Sequence, residues 1–367
     1  MRLAVVMLTN GSLSGGAAKH LRIVMPMLAL DPRIERIRVF VPEGSAHILP
    51  HNIDVYEFPV SGPGSGFRKL KTALAQYGPQ VLFIPSARYL ATPGARTVTM
   101  VRNMEPLETP FGGNTMIDRM KNLGRRYAAW SSCRKADRII AVSDHVANYL
   151  IGRWSVPPAK VATVYHGVET PPEPVRPETL QSLGNRPFVF SAGSIRPARG
   201  LHDLVEAMAQ PSVPSDLQLV FAGQVDAGAE AYETSLHDIA ERHGISDRIH
   251  WAGRLGHAEM SWCFKNSDLF VMTSRAEACP NTVLEALSHG CLSVSGANQP
   301  MPEFFEDTAV YYDSGDPASL AVKMVEALNA SASQREEMRA AAALRSLDFT
   351  WETCAKRTAE ELEHSLA

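Results

Sequence analysis

Cysteine is scarce and scattered in this 367-residue chain: Cys133, Cys263, Cys279, Cys291 and Cys354, with no CxxC pair among them. That spacing argues against both a disulfide framework and a zinc site. No apolar run approaches the ~20 residues that span a bilayer. The start, MRLAVVMLTN, joins one cation to a short apolar run, yet Thr9, Asn10 and Gly11 interrupt it too early for a signal peptide. It reads instead as a first strand, and the cytoplasm is the expected address. Low-complexity tracts and short-period repeats are also missing.

What is present suits two ordinary domains, with 45% hydrophobic and 20% charged residues. The net charge of −3 conceals an asymmetry. Residues 1–168 hold 21 basic against 10 acidic residues, a net +11, whereas the remainder holds 15 against 29, a net −14. A basic half can meet a phospholipid surface, a lipid-pyrophosphate acceptor or nucleic acid. Drift between two similar domains gives the same asymmetry, and composition alone does not choose.

Short β-branched runs alternate with amphipathic stretches along the whole chain, the pattern of βα units around a parallel sheet. In the first half strands are expected at Leu3–Leu8, Ile37–Val41, Val81–Ile84, Thr97–Val101 and Arg138–Val142, with helices at Ala17–Leu30 and Asp118–Lys135. The segment TPPEPVRP (Thr170–Pro177) carries four prolines in eight residues and reads as a linker. Strands resume at Phe188–Ser191, Leu217–Phe221, Arg248–Trp251, Leu269–Met272, Leu292–Val294 and Ala309–Tyr311. Helices are expected at Leu201–Gln210, Glu230–His243, Thr282–Ser288 and Pro317–Leu344, and again after Trp351. The fold class is thus α/β, two doubly wound Rossmann-like domains in tandem.

Three loops carry chemistry. NGSLSGGAAKH (Asn10–His20) places Gly15 and Gly16 before a helix, where backbone N–H groups can face a phosphate. GSIRPARGL (Gly193–Leu201) brings Arg196 and Arg199 to a second helix start, and guanidinium forks bind phosphate oxygens. In EACPNTVLEAL, Glu277 falls on a loop and Glu285 on the first turns of the next helix. A carboxylate accepts from both of two vicinal hydroxyls. A tight turn, solvated arginines and surface glutamates are the plain structural alternatives.

These pieces occur in the order of the retaining GT-B glycosyltransferases of family 4, which the chain resembles over almost its full length. The matching segments are GGAAKH, ADRIIAVSDHV (Ala136–Val146), PAKVATVYHGVE (Pro158–Glu169), GSIRPARGL, EACPNTVLEAL, PEFFEDTAVYYDSGDPASLA (Pro302–Ala321) and the terminal FTWE (Phe349–Glu352). The resemblance implies an acceptor-side domain at 1–169 joined by a C-terminal helix at 351–367, a linker at 170–186 and a nucleotide-sugar domain at 187–350, with a cleft between the domains. It implies that Glu285 holds the donor ribose, that Glu277 contacts the sugar near the reacting centre, and that Arg199 neutralises the diphosphate. Gly15 and Gly16 would cover that diphosphate, and Arg254 and Leu255 would meet the nucleobase.

The chain also departs from the family. Ser194 stands where a second cation is common, with Arg196 nearby. Cys279, Pro280, Asn281 and Thr282 stand within the segment that usually reads G-F-G-L-P, and Pro280 offers no N–H. Arg102, Asn103 and Glu105 follow the fourth N-domain strand where the family often has a His-Asp pair, and they are the acceptor-side candidates. No DxD triplet occurs, in keeping with a metal-independent enzyme whose nucleotide-diphosphate sugar is substrate rather than cofactor.

The implied reaction is retaining transfer to a glycan or lipid-linked saccharide, as in surface polysaccharide assembly. The basic stretch at 119–138 mixes seven cations with Met, Leu, Tyr and Trp, and suits peripheral contact with an anionic membrane. An ordinary domain helix, a soluble small-molecule acceptor, a sugar-nucleotide epimerase or phosphorylase, and a non-catalytic donor-binding subunit are the alternatives. No nucleic-acid partner is implied.

Overall fold

The computed structural model describes residues 1–9, 13, 15–59, 65–108 and 116–367, and it divides into two compact units. One comprises Met1–Leu107, Met120–Gly167 and Phe349–Ala367; the other comprises Glu108–Arg119 and Val168–Asp348.

The first unit is built on seven strands: β1 (Arg2–Val6), β2 (Arg36–Pro42), β3 (Val55–Phe58), β4 (Val81–Ile84), β5 (Arg96–Val101), β6 (Arg138–Ala141) and β7 (Val161–Thr163). All pair in parallel, in the order β3-β2-β1-β4-β5-β6-β7. β4 reads VLFI and is buried at every position, as a central parallel strand covered on both faces must be. The helices are α1 (Gly15–Ala29), α2 (Ser65–Tyr77), α3 (Met116–Lys135, of this unit from Met120 on) and α4 (Asp144–Trp154). α4 starts where it does because the Ser143 hydroxyl accepts from the Val146 N–H. The five expected strands are all found. β3 and β7, the two edge strands, were not expected, since each is short and partly exposed and shows no continuous apolar run.

The second unit carries β8 (Phe188–Ala192), β9 (Gln218–Ala222), β10 (Ile249–Gly253), β11 (Leu269–Met272), β12 (Ser293–Gly296) and β13 (Ala309–Tyr312). These are parallel in the order β10-β9-β8-β11-β12-β13. The chain winds outward from β8 to β10, then returns to β11 on the other side of β8. The carboxyl ends of β8 and β11 therefore flank a topological switch point, where open α/β sheets bind ligands.

The helices of this unit are α5 (Leu201–Met208), α6 (Glu230–Arg242), α7 (His257–Asn266), α8 (Asn281–Ser288), α9 (Met301–Phe305), α10 (Pro317–Leu328) and α11 (Ala332–Ser346). The single helix expected over Pro317–Leu344 is two. Asn329 ends α10, and Ser331 starts α11 with a reciprocal capping box to Gln334. The proline-rich segment packs on α7: the Val175 N–H donates to Ala258 O at 3.0 Å, and Ser261 Oγ donates to Pro172 O at 2.8 Å. A final helix, α12 (Trp351–His364), belongs to the first unit, where it packs on α1 and β6.

Candidate functional site

At the switch point two loops are pressed together. Beyond β8 the chain turns at Gly193, whose φ of +131° suits glycine. A Cβ there would stand 2.9 Å from the Arg199 Cζ, so only glycine lets this guanidinium lie across the strand end. Arg199 closes the turn Pro197–Arg199, and Gly200 follows in the left-handed region at φ +60°. A Cβ on Gly200 would come within 2.5 Å of the Thr273 carbonyl oxygen. The missing side chain is what allows the turn to sit on the loop leaving β11.

The seam between turn and loop is closed by named contacts. The Arg275 N–H donates to Ala198 O at 2.8 Å, and Thr273 Oγ1 donates to Arg199 O at 2.7 Å. Ala198 and Ala276 pack against each other, both buried. Arg199 Nη1 donates to Ser274 Oγ at 3.1 Å and lies 2.5 Å from Glu277 Oε1. The pair is largely buried, with side chains 15% and 12% exposed. It is an ion pair by distance rather than an aligned hydrogen bond: Glu277 Oε1 and Arg199 Nε have no hydrogen-bond partner among the described residues. Both groups thus keep bonding capacity, one as acceptor and one as donor, at the same spot.

Beyond Glu277 the loop runs through half-buried Cys279 into α8, with Pro280 at the N-cap position. Among the described residues no side chain caps this helix; the Val283 and Leu284 N–H groups donate to Pro280 O, which leaves those of Asn281 and Thr282 without an intrahelical acceptor. Asn281 and Thr282 form its half-buried first turn, and Asn281 Oδ1 is buried without a hydrogen-bond partner among the described residues. Glu285, one turn further on, is half-buried. Its carbonyl oxygen lies 2.7 Å from His289 Nδ1 and accepts from Ser288 Oγ at 2.9 Å, which fixes the helix end below it.

The other expected residues are placed as follows. Arg196 Nη1 lies 3.4 Å from Asp226 Oδ2. Ser194 is half-buried next to Gly193, while Arg254 is exposed and Leu255 half-buried beyond β10. In the first unit Gly15 and Gly16 open α1, and Gly15 is exposed with open space where a Cβ would stand. The preceding Asn10, Gly11, Ser12 and Ser14 lie outside the described residues. Arg102, Asn103 and Glu105 follow β5, with Asn103 exposed and its Oδ1 accepting from the Glu105 N–H at 3.0 Å. Among the described residues no group of three or more His, Cys, Asp or Glu is arranged to hold a metal ion.

Two polar residues of the site escaped sequence reasoning. Asp203, on the first turn of α5, is only 2% exposed, and its Oδ1 accepts from Arg275 Nη2 at 2.7 Å. Asn298, beyond β12, donates from Nδ2 to Ser274 O at 3.0 Å. Arg275 lies two residues before Glu277, so a cation inside that segment was the one available signal.

Residues 15–171 match the family model "Glycosyltransferase Family 4", and residues 175–345 match "Glycosyl transferases group 1". A D-inositol 3-phosphate glycosyltransferase of Streptomyces scabiei is 27% identical over 240 residues, 62% of this chain and 54% of that protein. One of Mycobacterium ulcerans is 28% identical over 230 residues, 59% of this chain and 48% of that protein. The chain spans about half the length of the curated relatives it matches. Among solved structures, Anabaena HepE in complex with UDP-glucose superposes with a TM-score of 0.78 at 19% identity, covering 98% of this chain and 99% of that one. WaaG, a glycosyltransferase involved in lipopolysaccharide biosynthesis, gives 0.72 at 15% identity and covers 98% of each chain. At such identities the likeness is one of fold.

Proposed function

The chain belongs to the group 1 glycosyltransferases of GT-B fold, and on that premise we propose that it moves a sugar from a nucleotide-diphosphate donor to an acceptor hydroxyl, with retention and without a metal. The observation that carries this reading is the buried contact of Arg199 with Glu277 at the switch point.

In this reading the bond from the anomeric carbon to the diphosphate breaks as the acceptor oxygen attacks from the same face. The acceptor proton passes to the departing phosphate oxygen, so no separate base is needed. Arg199 and the first N–H groups of α8 stabilise the growing diphosphate charge, a task for preorganised donors in a site shielded from water. Glu277 faces the sugar beside the developing positive charge, and Glu285 holds the ribose hydroxyls. Arg196 would have to leave Asp226 to join them.

For the acceptor we favour a lipid-linked saccharide. α3 exposes Met120, Leu123 and Tyr127 at spacings of one helical face, with Lys121 and Arg125 exposed beside them. Its opposite face buries Asn122, Ala129 and Cys133. Apolar side chains ringed by cations suit an anionic lipid surface. No described helix is long and apolar enough to cross a membrane. A second reading, a small phosphorylated polyol as acceptor, draws on the naming of the curated relatives.

The test is transfer from labelled UDP-, GDP-, TDP- and ADP-sugars, in a chelating buffer, to a lipid-linked saccharide fraction and to inositol phosphate. Product with the donor's anomeric configuration, by proton NMR, supports the reading. Inverted product, or activity lost to the chelator, overturns retention or metal independence respectively.

A further inference from the structure

Behind the Arg199–Glu277 contact the loops that leave β11, β12 and β13 are tied to the first turn of α5 in a closed circuit. Asp203 Oδ1 accepts from Arg275 Nη2 at 2.7 Å. The neighbouring Ser274 carbonyl accepts from Asn298 Nδ2 at 3.0 Å, and Asn298 Oδ1 accepts from Ser314 Oγ at 2.5 Å. The next residue closes the circle: the Gly315 N–H donates to Asp203 Oδ2 at 2.9 Å. Tyr312 adds its hydroxyl to the same oxygen at 3.2 Å. Asp203 is thus a buried carboxylate with both oxygens engaged by donors from two loops. The 273–277 loop is thereby held at two adjacent residues, Arg275 through Asp203 and Ser274 through Asn298.

A buried carboxylate held by a guanidinium and neutral donors is costly to desolvate, and it contributes little net stability over an apolar replacement. What it supplies is a fixed geometry, since each donor direction is satisfied in one arrangement only. The two atoms that this geometry serves are close by. Arg275 passes its own N–H to Ala198 O, one residue before Arg199, and it stands two residues before Glu277.

We propose that the Asp203–Arg275–Asn298–Ser314 ring is a positioning device that sets the Arg199–Glu277 contact, and with it the transition-state half of the donor site. The inference rests on the proposed transfer reaction only in naming what the contact does; the mechanical part stands alone. Glu285 lies on α8 outside the ring, so the ribose contact and turnover separate. The ring residues act through that contact, as positioning residues.

The experiment uses Arg275→Met and Asn298→Ala in the full chain, since Arg275 is partly exposed and both changes spare the buried Asp203. Amide hydrogen exchange across residues 273–277 is expected to rise at least tenfold in both variants, whether or not a donor is turned over. Against the nucleotide sugar that the wild type uses, kcat is expected to fall about tenfold or more, while the donor KM shifts less than threefold. In a Glu277→Ala background the same substitutions should lower kcat by less than twofold further, because the contact they set is already gone. A purely structural weakening would subtract its full effect again. Unchanged exchange at 273–277, or fully additive losses of kcat, would overturn the ring as a positioning device. Failure of every sugar nucleotide with the wild type would instead sink the transfer reading and leave the exchange result to decide the ring.

Discussion

Arg199 reaches Glu277 across the seam between two strand-end loops: Nη1 is 2.5 Å from Oε1 and also donates to the Ser274 hydroxyl. The contact joins a cation suited to a diphosphate and a carboxylate suited to a sugar in one small volume. Glu285 lies on α8, a helix that continues from the same loop and has no side-chain cap at its N-terminus among the described residues. That separation of roles has consequences for kinetics.

Glu285→Ala is expected to weaken donor binding by about 1.5–3 kcal/mol, the range for hydrogen bonds to a charged group, and so to raise the donor KM roughly 10- to 150-fold with kcat little changed. Glu277→Ala is expected to lower kcat instead, because its contact strengthens as positive charge develops on the sugar. Initial-rate kinetics in donor concentration check this. Equal increases of KM alone in both variants would remove the division of roles.

Stability should fall on mild acidification. His20 is fully buried against His166, at 5.5 Å between ring centroids, and against Trp351 at 6.1 Å, and neither ring nitrogen has a hydrogen-bond partner among the described residues. Burial, and next the positive charge of Arg102 and the neighbouring His166, hold its pKa well below that of a free histidine. Above about pH 6.5 the ring is neutral in both folded and unfolded chains and contributes nothing. Below it the unfolded chain takes up a proton that the folded one refuses, so stability drops by up to about 1.4 kcal/mol per pH unit from this residue. Urea midpoints at pH 7.5, 6.5 and 5.5 should fall at the acid end, and fall less in His20→Gln. An identical acid slope in that variant would contradict the assignment.

One thiol should react in the native protein. Burial pushes Cys133, Cys263, Cys291 and Cys354 up to about 12, and all four are buried, whereas Cys279 is half-buried on the loop between Glu277 and Glu285. A chromogenic disulfide reagent is expected to titrate one equivalent before unfolding, and a bound nucleoside diphosphate should slow it at least fivefold. Several fast thiols, or no protection by any nucleotide, would show that the loop is packed differently.

Much of this was readable from the sequence, for physical reasons that differ by element. β4 is a continuous apolar run, and β8 and β9 are apolar but for Ser191 and Gln218, because both sheet faces are covered, and such runs stand out. β3 and β7 lie at the sheet edge, where short, partly exposed strands carry no such signature. The helix expected over Pro317–Leu344 broke at Asn329 because alanine-rich periodicity hides a Ser331–Gln334 cap. Arg199 and Glu277 were legible as types at loop positions, but their contact was not. It depends on Gly193 and Gly200 admitting the turn, and on Asp203 being buried. A lone aspartate on a first helical turn looks like any solvated cap, and only the three-dimensional crossing of α5 with the loop beyond β11 sets it apart.

The most direct test of the central claim is the thermal midpoint of the purified protein in UDP, GDP, TDP or ADP. A ligand that binds only the folded state stabilises it by about 2.7 kcal/mol at a hundredfold excess over Kd. The donor-site account predicts a selective shift with one nucleotide that disappears in Glu285→Ala. No shift with any of the four at millimolar concentration, or a shift that survives Glu285→Ala unchanged, would contradict it.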